Sequence, residues 1–290
     1  MKIVKSVEDN SVNFIFGEEP AQYLEARYVR RSDNYIVCYV SVKKGCSKGC
    51  KFCYLTATSQ LSETDATLEE IIAQVKAVKE HYTQMVESGE EEPAKLIHFN
   101  FMARGEPLSS KVILDDNQEL FIQMSEVFND LIPKFNISTI MPKTLGNRKL
   151  SDIFGLITPT IYYSLYSLEE DFRIEWIPQG MDTDLAFKNL KDYQSITKKI
   201  IKFHQTLIEN VNDSFENAVS IAAKIQEYKL LSEYQIVRYN SFSDNEGKES
   251  SEEHIEAWVA QMDRLLVYSE VKILNRVGHD VNASCGMFYV

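Results

Sequence analysis

The chain has 290 residues, with 31 Lys or Arg against 43 Asp or Glu and a formal charge of −12. That balance excludes a general polyanion binder, because duplex affinity rests on cations neutralising phosphates, so any nucleic-acid contact needs a local basic patch. The 44% apolar content excludes a disordered chain, no apolar run reaches the roughly 18 residues that cross a bilayer, and the first residues show no secretory leader.

In chain order, 36–40 reads as a strand, and a cysteine-rich loop follows at 46–53. Thr67-Leu68-Glu69-Glu70 is a capping box that opens a helix with Leu68, Ile71, Ile72, Val75 and Val78 on one face. The polar stretch 87–93 reads as a loop. Strands are predicted at Leu96–Phe101, 135–140, 161–165, 200–204, 234–239 and 271–274, all short and rich in β-branched and aromatic residues. Asp213 with Glu216 predicts a helix cap before Ala218, Ile221, Ala222 and Ile225. After a second polar loop, 243–249, Ser250 with Glu253 predicts a cap before Ile255, Trp258, Val259, Met262, Leu265 and Leu266. Alternating strands and helices imply an α/β fold with a parallel sheet and helices outside. An eight-fold barrel takes about 250 residues, and the pattern holds nearer six strand–helix units, so a partial barrel is expected. Chemistry in such folds sits at the carboxyl ends of the strands.

The five cysteines are Cys38, Cys46, Cys50, Cys53 and Cys285. An odd number without a leader argues against a disulfide framework and for a reducing compartment, hence a cytoplasmic protein. Cys46, Cys50 and Cys53 have the spacing C-x-x-x-C-x-x-C. Three thiolates would hold three irons of a [4Fe–4S] cube and leave the fourth open to a small chelating molecule. Structural zinc wants four ligands, usually as paired C-x-x-C units, and no second pair exists here. Lys43, Lys44, Lys48 and Lys51 around the loop read as a solvated lysine-rich surface, as compensation of a cluster's negative charge or as a phosphate-facing rim. Cys38, inside an apolar strand pattern, is open to a core reading, as Cys285 is to a packing one.

Several segments in one order now resemble the RlmN/Cfr family of radical S-adenosylmethionine (SAM) RNA adenine methyltransferases. They begin with Glu25, thirteen residues before Cys38, and the cysteine loop. Next come Gly105-Glu106-Pro107-Leu108, Ser138-Thr139, Ser164-Leu165-Tyr166 and Val211-Asn212-Asp213. The last are Tyr239-Asn240-Ser241-Phe242 and the run Gly278 to Gly286 that contains Cys285. The resemblance covers nearly the whole chain. It implies a TIM-like (β/α)6 partial barrel over 36–290, with 1–35 as a short strand extension packed on it. It implies a [4Fe–4S] cluster on Cys46, Cys50 and Cys53. SAM would be contacted by Gly105, Glu106, Ser138, Ser164, Leu165, Tyr166 and Asn212. One SAM would methylate Cys285. A 5′-deoxyadenosyl radical from a second would take hydrogen from that S-methyl group, and the methylene would add to an adenine ring carbon, carbon 2 rather than carbon 8. Cys38 would resolve the adduct as a disulfide with Cys285, and Glu25 would take the proton. An RNA substrate (transfer or ribosomal), an electron donor such as flavodoxin or ferredoxin, and a monomer acting away from membranes complete the expectation.

The chain also departs from the family pattern. Cys38 stands eight positions before Cys46, one more than in the family. Tyr166 replaces a His, and Ala103-Arg104 replaces a Gly-Met pair. The family's N-terminal accessory domain and basic C-terminal tail have no counterpart in the 290 residues. Two other readings share the loop: a radical SAM enzyme of another type, such as a deazapurine synthase or glycyl-radical activase, and a non-catalytic cluster-binding regulator.

Overall fold

The structure is a computed structural model describing residues 1–243 and 246–289. Among these, ten strands form one sheet in chain order. The strands β1 (Lys2–Lys5), β2 (Val12–Phe16), β3 (Leu24–Ser32) and β4 (Tyr35–Val40) pair antiparallel. From β4 onward all pairings are parallel, through β5 (Leu96–Phe101), β6 (Ile132–Thr139), β7 (Thr160–Ser164), β8 (Ile201–Gln205), β9 (Ser232–Ile236) and β10 (Glu270–Ile273). Parallel neighbours need long crossovers, and helices fill them. They are α1 (Tyr54–Ala57), α2 (Leu68–Glu87), α3 (Lys111–Asp115), α4 (Asn117–Val127), α5 (Leu150–Ile153), α6 (Glu170–Trp176), α7 (Thr183–Thr197), α8 (Phe215–Glu227) and α9 (Glu252–Leu265). β1 and β10 remain the sheet's two edges, so the predicted partial barrel is an open one. The antiparallel strands β1–β3 extend the sheet beyond β4 and form the predicted N-terminal strand extension.

Alternation along the strands decides what faces the barrel interior. Tyr35, Val37 and Tyr39 of β4 line an interior cavity. Ile36, Cys38 and Val40 face the other way, into the main core, with Ile71, Ile72, Val75 and Val78 of α2. The Thr67 capping box forms as predicted: Glu70 N donates to Thr67 Oγ1 (3.2 Å) and Thr67 N to Glu70 Oε2 (2.9 Å). The other two predicted caps lie one residue early. Ser214 and Ser251 cap α8 and α9, because Ser250 Oγ donates to Asp213 Oδ2 (2.8 Å) and both predicted caps are spent tying their loops together. Of the second predicted loop, Asp244 and Asn245 lie outside the described residues.

The chain's two ends meet. Ser6 Oγ (2.7 Å) and Val7 N (2.8 Å) donate to the Asp280 carboxylate, and Gly278 N donates to Asp9 (2.7 Å). The last dozen residues thereby lie against β1–β3, and from there they reach the mouth of the barrel.

Candidate active site

The cysteine loop leaves the carboxyl end of β4, where parallel α/β folds put their chemistry. Cys46 N donates to Gln60 O and Cys53 N to Cys50 O, both at 3.1 Å, which curls the loop. A Cβ on Gly45 would stand 2.5 Å from Gln60 O, so only glycine fits there. Gly49 adopts φ +68°, the left-handed conformation that lets the loop reverse. Each of the surrounding lysines is paired with a carboxylate, Lys43 and Lys48 buried and Lys44 and Lys51 partly exposed. Lys43 pairs with Asp65 (2.7 Å) and Glu63 (3.3 Å), Lys48 with Glu63 (3.5 Å), Lys44 with Glu70 (3.0 Å), and Lys51 with Glu175.

Burial pushes the loop thiols up, to about 12 for Cys46, to about 11 for Cys53, and well above the ordinary range for Cys50, and for Cys46 and Cys50 repulsion between the cysteines adds to it. With the nearby lysines already spent on carboxylates, three thiolates there need an added positive group to offset them. Among the described residues no three His, Cys, Asp or Glu converge as ligands of one metal ion. Three cysteines at this spacing match three corners of a cube and fall one short of the four ligands of a structural zinc site. The donor set therefore fits a [4Fe–4S] cluster.

Cys285 folds back onto this loop. Tyr54 N, next after Cys53, donates to Gly286 O, next after Cys285, at 3.0 Å. Arg27 of β3 holds the turn by donating to Ala283 O (3.0 Å), Ser284 O (3.3 Å) and Met287 O (2.6 Å), and Asn240 Nδ2 donates to Cys285 O (2.9 Å). Cys285 is exposed, and it lines a cavity of about 420 Å³ in the barrel together with Ser138, Ser164, Tyr166, Met102 and Asn100. Clefts of this size take nucleoside-sized ligands. The lower wall carries Arg31, Lys202, Lys272 and Arg276, along with His98 and His204. Much of that charge is answered within the fold. Glu233 holds Lys202 (2.9 Å) and Lys272 (2.6 Å), and Glu249 holds Arg276 (3.1 Å).

The remaining predicted residues divide. Glu106 is buried next to the cysteine loop. Its Oε1 accepts from Thr139 Oγ1 (2.6 Å) and Leu108 N (3.0 Å), its Oε2 from Ile140 N (3.1 Å), which leaves Oε2 room for one more donor. Gly105 adopts φ +95° and packs so closely that a Cβ would stand 2.7 Å from Lys43 Cβ. Tyr166 stacks on Phe52 at 4.4 Å, roofing the cysteine loop. Asn212 does not line the cavity. Its side chain donates to the carbonyls of Tyr166 (3.3 Å) and Thr206 (3.0 Å) and accepts from Ile208 N (2.8 Å), which braces the left-handed Tyr166 backbone (φ +63°). Leu165 belongs to the main core.

Glu25 is fully buried, and four donors take up its carboxylate: Arg104 Nε (2.7 Å) and Tyr289 N (3.1 Å) on Oε1, Asn13 Nδ2 (3.0 Å) and Arg27 (3.2 Å) on Oε2. It is a clamp on the C-terminal segment rather than a free base. Cys38 is likewise not brought to Cys285. It is fully buried on the outer face of β4, and burial pushes its thiol far up. Arg27 was not singled out from sequence, and Arg104 and Asn240 were noted there only within a departure and a resembling run, without a role. A signal for Arg104 was present: an arginine standing where the family pattern has methionine, in an apolar strand end, needs a buried carboxylate, and Glu25 supplies it.

No family model matches the chain. It is 25% identical to a probable dual-specificity RNA methyltransferase RlmN of Clostridium botulinum (strain Eklund 17B / Type B), over 98% of this chain and 77% of that protein. It is 26% identical to the protein of the same name from Synechococcus sp. (strain CC9902), over 96% of this chain and 75% of that one. Among solved structures, a radical SAM methyltransferase from Sphaerobacter thermophilus superposes with a TM-score of 0.79 at 20% identity, over 99% of this chain and 80% of that one. The chain is RlmN-like in sequence over nearly its whole length, and it has the fold of a radical SAM methyltransferase.

Proposed function

We propose that the protein is a radical SAM methyltransferase that methylates an adenine ring carbon of RNA, carbon 2 in preference to carbon 8, with Cys285 as methyl carrier. The single observation that supports this reading is the bond between Tyr54 N and Gly286 O, which ties the backbone next to Cys285, a cavity-lining residue, to the backbone next to Cys53 of the cysteine loop. The RlmN names of the relatives support RNA as substrate.

When bound, a [4Fe–4S] cluster with SAM supplies one-electron cleavage of the sulfonium and with it the radical chemistry that an adenine carbon, a poor nucleophile, requires. Cys46, Cys50 and Cys53 would hold the cluster. Glu106, with its one unfilled acceptor position, would take a donor from SAM, and Ser138 and Ser164 would supply hydroxyls from the cavity wall. Cys285 takes the first methyl as a thiolate, the competent form of sulfur for a displacement. Arg27 and Asn240 fix its backbone by holding the carbonyls around it, so the carrier sulfur is positioned before substrate arrives. Tyr166, which lines the cavity, is held by its stack on Phe52 of the cysteine loop and would limit the freedom of a base bound there.

The test is the Cys285→Ala variant, prepared anaerobically with cluster and given a one-electron donor such as flavodoxin. It should still cleave SAM but leave no methyl mark on adenine in nucleosides digested from RNA. Full methylation by this variant overturns the carrier role.

A further inference from the structure

We propose that Cys285 is released from its substrate by a small-molecule thiol rather than by a second cysteine of the chain. The inference rests on the carrier reading above. It starts from the covalent stage in which Cys285 Sγ, a CH2 group and the base carbon are linked. Release needs a thiolate to attack Cys285 Sγ. A sulfur–sulfur bond forms, the S–CH2 bond breaks, and its electron pair goes to the methylene carbon, which takes a proton and becomes the methyl group. The two sulfurs are oxidised to a disulfide and the carbon is reduced, so the step balances. A second thiolate then frees Cys285.

The chain has only four other cysteines, and three of them form the cluster-binding loop. Cys38 is the fourth, and the sheet locks it away. It has no exposed surface. β4 is paired on both sides, with Cys38 opposite Tyr28 of β3 and opposite Phe99 of β5. Its neighbours Val37 and Tyr39 line the cavity, so Cys38 points to the opposite face, against the helix layer. Turning it inward requires a one-residue slip of a central strand, which would carry Ile36 and Val40 into the cavity and Tyr39 into the core. The residue seven positions before Cys46 is Tyr39, a phenol that cannot form a disulfide. Cys285, by contrast, is exposed in a cavity open to solvent, where glutathione-sized thiols can reach it.

Two measurements decide the matter. In the first, the purified protein is treated with oxidised glutathione and its disulfides are mapped by peptide mass. The expected result is glutathione on Cys285, with Cys38 unmodified until the protein is unfolded. A Cys38–Cys285 disulfide as the main product overturns the proposal. In the second, wild type and Cys38→Ala are assayed on RNA with a thiol-free electron donor. Both should stop at a protein–RNA crosslink before any methylated product is released, and both should turn over equally when glutathione is added. A crosslink confined to the variant, with wild type cycling without added thiol, overturns it equally. Wild type that gives neither crosslink nor methyl mark would sink the methyltransferase reading instead, and the glutathione map still decides which thiols meet.

Discussion

Glu25 and Arg104 illustrate how a buried charge changes what a residue can do. The Glu25 carboxylate accepts four hydrogen bonds and faces two guanidinium groups, those of Arg27 and Arg104. Removing one member of such a set leaves uncompensated buried charge, so Glu25→Gln should lower stability by about 3–5 kcal/mol. Urea denaturation measures this. A variant that lost methylation yet unfolded at the wild-type midpoint would restore Glu25 as a proton acceptor. Sequence alone located Glu25 as a candidate proton acceptor but not the set of donors around it, because Asn13, Arg104 and Tyr289 are scattered along the chain. No local pattern links them.

Among the secondary-structure elements, what was legible followed local rules. The apolar stripe of α2 and the Thr67 capping box could be read directly, and Thr67→Ala should cost about 1 kcal/mol of stability, measured as a shift in thermal or urea midpoint. The caps of α8 and α9 were displaced by one residue, since Asp213-Ser214 and Ser250-Ser251 each offer two competent caps and the tertiary bond between Asp213 and Ser250 decides between them. Ser214→Ala should therefore weaken the protein by about 1 kcal/mol through helix capping, and an unchanged midpoint would show that Asp213 can take over. Strand β4 was read correctly as a strand. Which of its faces meets the cavity was not legible, because period-two patterning marks alternation while the register comes from pairing with β3 and β5. The fate of Cys38 turns on that register.

Across the whole molecule, the open barrel and the antiparallel strands that lead into it bring residue 9 against residue 278 and Arg27 against Met287. Such contacts between chain ends leave no trace in composition or periodicity. The interior they enclose holds polar groups that must stay neutral. Burial pushes His204, hydrogen-bonded to Gln235 at 2.7 Å, down to about 4. A histidine depressed in the fold binds fewer protons there than in the unfolded chain. Its contribution is complete above about pH 6.5, on the order of 3 kcal/mol, and is lost as the pH falls toward 4. Urea midpoints should drop over that window, and His204→Gln should flatten the drop. A midpoint independent of pH between 7 and 4.5 would contradict a His204 held neutral by burial.

The central claim is that the methyl group travels by way of Cys285, and isotope retention tests it most directly. With SAM carrying a fully deuterated methyl group, the carrier route removes one hydrogen position from the methyl on sulfur and refills it from solvent. The methyl found on adenine should therefore keep only part of its deuterium, and the mass of the digested nucleoside reads this. Complete retention would mean direct transfer from SAM and would contradict the account.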